Sequence, residues 1–195
     1  MSKSEKTKKF IIENTATVFN KRGYAGTSLN DLTEATNLTK GSIYGNFTGK
    51  DDVAIEAFDH NIKRWISPIE HLAEEKKHAV KKLLAYSEYY RKNHTAIFEA
   101  GGCPMINMAA EADDTNDFLA QKANAALNSY DANLQKIIDK GIRDKELKKV
   151  DAKKCAAVLF SLIEGGMLLA KSTGKTHFLT DALDQFDEIA ENLKD

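Results

Sequence analysis

The stretch TSLNDLTEATNLTKGSIYGNF, residues 27–47, decides how the chain reads. Thr27 or Ser28 can cap a helix whose Leu29 and Leu32 face inward, with Ala35 leaving room for a close neighbour. That helix lasts about two turns before Asn37, a residue type that tolerates positive φ and so can end it. Thr39 can cap a further helix after only Leu38. Two short helices around a tight turn let the second protrude, so that its first residues reach the major groove of DNA while the first lies across the backbone. Small residues at Gly41 and Ser42 permit close approach to phosphates. Thr39, Ser42 and Tyr44 offer hydroxyls, and Lys40 and Lys50 offer charge. Ile43 and Phe47 are expected to hold the protruding helix against Phe19 and Leu32.

Upstream, Ile12, Thr15, Ala16 and Phe19 fall at i, i+3, i+4 and i+7, one face of a helix over residues 4–22 that Gly23 can terminate. Downstream, KDDVAIEAFDHNIKRWI places acids in the first turn of a helix, and Pro68 is expected to end it. A helix over about 72–93 follows. Pro104 can open a short one, Asp113 or Thr115 a long one to about Gly141, Asp151 the most apolar one, and Thr180 the last. Two prolines in 195 residues suit long helices, and no strand is needed. The expectation is an all-α protein: an N-terminal three-helix helix-turn-helix domain over 1–48 and a larger helical domain over 49–195.

Charge supports the division. The chain's net charge is −1, yet residues 1–50 carry eight Lys/Arg against four acids, a net +4, which leaves −5 for the remainder. A basic head can approach phosphates while an acidic body stays away from them. Two cysteines, Cys103 and Cys155, make no disulfide framework, and neither an N-terminal apolar leader nor a run of about 18 apolar residues is evident, so a cytoplasmic protein without a membrane partner is expected.

Residues 11–53 resemble the DNA-binding domain of the TetR family of bacterial transcriptional regulators. The matching positions are Phe19, Gly23, Tyr24, Thr27-Ser28, Leu32, Ala35, Thr39-Lys40-Gly41-Ser42, Ile43-Tyr44, Phe47 and Lys50. Asn37 stands where the family usually has Gly, Thr15 where a second Ala is common, and Gly45-Asn46 where larger aromatic or His residues are frequent. The resemblance implies that the third helix reads an operator, with Thr39 and Tyr44 on phosphate or base and Lys50 gripping the backbone. Thr27, Ser28, Thr39, Lys40, Gly41, Ser42, Tyr44, Asn46 and Lys50 are therefore the candidate contacts to double-stranded operator DNA.

It also implies a homodimer through the last two helices, about 152–172 and 180–193, and a body cavity for a small-molecule effector. Gly165-Gly166, inside an apolar helix, would allow close approach across a dimer axis or within the chain. Trp65, Tyr86, Tyr90, Phe98, Cys103, Met105, Met108 and Phe118 are the candidate effector contacts, from residue types that cores use equally. If Pro104 opens a helix, Cys103 sits at its cap, where N–H groups and the helix dipole stabilise a thiolate. An oxidant- or electrophile-sensing repressor acting through Cys103 is the alternative function.

Enzymatic chemistry lacks its constellation. Glu75-x-x-His78 is a single copy of a motif that a di-metal bundle needs twice, and no phosphate loop or nucleophile elbow occurs. No catalytic residue, metal or cofactor is expected.

Overall fold

The computed structural model describes residues 2–195. Ten helices appear among them: α1 (Lys3–Arg22), α2 (Leu29–Thr36), α3 (Lys40–Tyr44), α4 (Lys50–Trp65), α5 (Ser67–Glu74), α6 (Ala79–Glu99), α7 (Pro104–Ala112), α8 (Asp117–Arg143), α9 (Ala152–Thr173) and α10 (His177–Asn192). The only extended pairing among the described residues is one antiparallel bridge, Leu147 to Lys194. The fold is all-α, as expected. By packing, the chain forms two compact units: residues to Ile66 with Pro104–Ala123, and Ser67–Cys103 with Asn124–Asp195. α4 and α7 thus share a unit with α1–α3.

In the first unit, α1 begins with a reciprocal cap between Ser2 and Glu5 and ends at Gly23, whose φ of 74° suits glycine. Its buried face includes Thr15, Ala16 and Phe19, as the i, i+3, i+4, i+7 spacing predicts, but Ile11 is the fully buried residue at its start and Ile12 is half-buried against the same core. Thr15 is tolerated in that core because its hydroxyl donates to the Ile11 carbonyl at 2.8 Å. Ser28 and Asp31 cap α2 reciprocally. Asn37 terminates it at φ 54°, ψ 26°, the left-handed geometry anticipated for that position. Thr39 caps α3 by accepting from the Ser42 N–H at 3.2 Å. Ile43 and Phe47 join Phe19, Leu32, Val53 and Ala57 in one core, and Asn61 of α4 donates to the Ala16 carbonyl of α1 at 2.9 Å.

The second unit has an aromatic centre. Tyr86 meets Tyr130 edge-on at 5.5 Å, Phe160 stacks on Tyr130 at 4.6 Å, and the Tyr130 hydroxyl bonds that of Tyr90 at 3.3 Å. α9 packs on α10, where a Cβ on Gly166 would stand 2.9 Å from that of Ala182 and 3.1 Å from the Phe178 carbonyl. Gly166 therefore serves a close approach within the chain. Gly165, beside it, has nothing within 4 Å.

Several boundaries depart from the sequence expectation. Pro68 does not merely follow α4: it sits in the first turn of α5, where a missing N–H costs nothing. The helix expected over 72–93 is two, α5 and α6, divided at residues 75–78 within the polar run EEKKH, and α6 continues to Glu99. Asn116, not Asp113 or Thr115, accepts from the first turn of α8, from Leu119 N–H at 3.1 Å. α10 starts about a turn before Thr180, at His177. α9, with 22 residues and an 18-residue window of mean hydropathy 1.5, is long and apolar enough by composition to cross a membrane, which the sequence reading had not identified. Its buried stripe of Ala156, Leu159, Ile163, Met167 and Ala170 is instead a packing face.

Candidate nucleic-acid interface

The start of α3 is presented to solvent. Thr39, Lys40, Gly41 and Tyr44 are exposed, Tyr44 by 42%, while Ile43 between them is fully buried. One residue in five thus anchors the helix, Ser42 is half-buried, and Lys40, Gly41 and Tyr44 face outward. A Cβ on Gly41 would meet nothing nearer than the Thr39 hydroxyl at 4.0 Å. Nothing inside the chain demands glycine there. Thr39 spends its oxygen lone pair on the Ser42 N–H but keeps its proton to donate, and Lys40 makes no ion pair among the described residues.

Lys50, first in α4, places its ammonium 4.2 Å from the centre of the Tyr24 ring. The Tyr24 hydroxyl donates to Asp51, and that bond, with burial and the carboxylate's charge, pushes the phenol up to about 12. Tyr24 therefore stays protonated and fixes the start of α4 beside the α1–α2 turn. Cation–ring contact holds Lys50 without neutralising it.

The other expected contacts are differently placed. Thr27 is fully buried, its hydroxyl donating to the Gly23 carbonyl at 2.6 Å, so its side chain shapes the turn and is not offered to a partner. Ser28 is exposed, but its hydroxyl is engaged with Asp31 in the α2 cap. The Asn46 amide donates to the Ser42 carbonyl at 2.8 Å and accepts from Ser4 at 3.0 Å, which ties α3 to the start of α1.

Of the residues expected around an effector, Met108 alone lines the partly open cavity between α1, α4, α7 and the start of α8. Trp65 and Met105 are buried, and Phe118 stands 59% exposed. Tyr86 and Tyr90 belong to the aromatic centre of the second unit. Cys103 is buried, its thiol donating to Glu164 at 3.2 Å, and burial pushes the Glu164 carboxyl up to about 7. Sequence reasoning missed Glu111 of α7, whose two oxygens accept the backbone N–H groups of Tyr24 and Ala25, each at 2.7 Å. It also missed Asn107, which donates to the Asn20 carbonyl at 3.0 Å. Neither has a sequence signal, because their partners lie about ninety residues away.

Comparison with known proteins covers both parts of the chain. Residues 11–57 match the family model for bacterial regulatory proteins of the tetR family, and residues 79–186 match the tetracyclin repressor-like C-terminal domain. A crystal structure of a TetR-family transcriptional regulator from Cytophaga hutchinsonii is 43% identical, covers 100% of this chain and 98% of its own, and superposes with a TM-score of 0.92. An uncharacterised HTH-type transcriptional regulator of Lactococcus lactis is 27% identical over 196 residues, 95% of each chain. The negative transcriptional regulator IcaR of the biofilm operon in Staphylococcus aureus is 40% identical over 43 residues, 22% of this chain and 23% of IcaR. With a helix-turn-helix of the matching geometry and family models over both its head and most of its body, this chain belongs to the TetR family of bacterial transcriptional regulators.

Proposed function

We propose that this regulator is a repressor that binds palindromic operator DNA as a homodimer and is released by a small-molecule effector. Residues 1–48 read the DNA and residues 49–195 carry effector binding and dimerisation. The observation that carries the reading is the outward set Thr39, Lys40, Gly41 and Tyr44, with Ser42 half-exposed among them, at a helix anchored by Ile43, with Lys50 beside it. Thr39, Ser42 and Tyr44 reach phosphate or base edges, Gly41 allows close approach, and Lys40 and Lys50 neutralise phosphates. Occupying a promoter operator is sterically sufficient to block transcription, and the similarity of the head to a negative regulator agrees with that sign.

Pairing of subunits is supported by α9. Val158, Leu168 and Leu169 are 43%, 50% and 46% exposed and lie with Ser161 and the open Gly165 along one helical face. An uncovered apolar stripe of this kind suits a helical interface with a second copy. Two heads about one DNA turn apart then read two half-sites. An effector acts by binding better to the arrangement whose heads are wrongly spaced.

Gel-shift titration against the chain's own promoter region, at low and high salt, tests the reading. Specific binding that weakens steeply with salt supports it; absence of both specific and salt-dependent binding overturns it. A second reading, oxidant or electrophile sensing through Cys103, is disfavoured by a thiol that is buried and donates to the Glu164 carboxyl, whose charge would oppose a thiolate. Rapid labelling by iodoacetamide at neutral pH with loss of DNA affinity supports that reading, and slow labelling removes it.

A further inference from the structure

α1, α4, α7 and the start of α8 line a partly open cavity of about 180 Å³. Its walls are apolar at Phe19, Phe58 and Leu119 and polar at Asn61, Asn116 and Glu111. Among the described residues, Glu111 is the one charged side chain lining it, and no cation pairs with that carboxylate. Both of its oxygens are turned to the Tyr24 and Ala25 N–H groups.

We infer that this cavity is an effector site for a monocyclic cationic amphiphile, a single apolar ring with an ammonium or amidinium head that pairs with Glu111; the inference rests on the regulatory reading above. Size sets the ring count. An apolar cavity of about 150 Å³ holds benzene, whereas drug-sized ligands fill roughly 300–1,000 Å³. The space within the walls therefore suits one ring and a short polar head. Charge sets the head group. An anion would be desolvated against a carboxylate with no cation to offset it, while a cation finds an acceptor already in place.

The same carboxylate links the cavity to the candidate DNA-contacting surface. Glu111 holds the Tyr24–Ala25 turn, and the Tyr24 ring carries the Lys50 ammonium while its hydroxyl binds Asp51. A cationic head that draws the carboxylate into the cavity competes with those two N–H groups. It thereby loosens the turn that positions Lys50. Gly23 fits the scheme, because a Cβ there would collide with the Glu111 carboxylate.

Calorimetric titration of the full chain, without DNA, with benzylamine, benzyl alcohol and benzoate tests the site. Benzylamine is expected to bind at least about tenfold more tightly than benzoate, a difference of about 1.4 kcal/mol. Met108→Trp, which fills the cavity, is expected to weaken benzylamine at least tenfold. Glu111→Gln is expected to erase the preference for benzylamine over benzoate while leaving benzyl alcohol binding in place, so the test survives if the tryptophan variant does not fold. Benzoate binding as tightly as benzylamine, undiminished binding in both variants, or no heat from any probe at millimolar concentration would overturn the inference. Because DNA is absent from these titrations, their failure leaves the operator reading intact, whereas failure of the unliganded protein to bind promoter DNA strikes the operator reading itself.

Discussion

The Lys50 ammonium rests 4.2 Å from the centre of the Tyr24 ring, so the first residue of α4 is aimed by the turn that follows α1. Its charge remains available. Lys50→Gln is expected to weaken binding to all DNA sequences alike and to reduce the slope of log affinity against log salt by about 1, the signature of one lost phosphate contact. Salt-dependent gel shifts on operator and random DNA measure both quantities. A loss confined to the operator would mean that Lys50 reads bases.

Tyr44 separates recognition from stability. Its side chain is exposed and outside the core that Ile43 anchors. Tyr44→Ala should change unfolding free energy by less than about 0.5 kcal/mol, as surface substitutions do. Operator affinity should fall by about 1–3 kcal/mol, the scale of a lost specific contact. Chemical denaturation and a binding isotherm on the same preparation make the comparison.

Leu168 tests the pairing of subunits. Leu168→Glu places a charge at a position that is half exposed in the single chain, so helical content is expected to persist. Sedimentation velocity should then show a monomer at micromolar concentration where the parent chain sediments as a dimer. Operator affinity falls with it, because two half-sites are no longer read together.

Glu164 gives the second unit a pH dependence whose sign is fixed. Its carboxyl is pushed up to about 7 by burial, against an ordinary value of 4.5, with the Cys103 hydrogen bond opposing. The folded chain therefore holds this proton more tightly than the unfolded chain does. The resulting stabilisation is complete below pH 4.5 and is lost as pH rises to about 7, by an amount on the order of 3 kcal/mol. Glu164→Gln is expected to remove that loss, so its advantage over the parent chain should grow from pH 5 to pH 8. Denaturant midpoints across that range check it, and a constant difference would count against the assignment.

The head was largely legible because its signals are local. Ser28, Asn37 and Thr39 each terminate or start a helix through their own side chain or backbone preference, and each does so in the structure. Pro68 was harder, since proline stops one helix and opens the next with equal ease. The α8 cap was hidden among Asp113, Thr115 and Asn116, all competent acceptors, and tertiary packing chose the last. The cavity was the least legible feature. Tyr86 and Met105 fill space, whereas Asn61, Asn107 and Glu111 define a void or tie down backbone, and no periodicity distinguishes these roles. Thr27 shows the converse: a polar residue next to a recognition motif turned inward to satisfy a carbonyl.

The division of labour within α3 has an evolutionary consequence. Within α3 itself only Ile43 is buried in the core, so exchanges at Lys40, Gly41 and Tyr44 leave folding almost untouched. Descendants of this chain are free to acquire new target sites by drifting at those few surface positions, with the scaffold neither resisting nor rewarding the change.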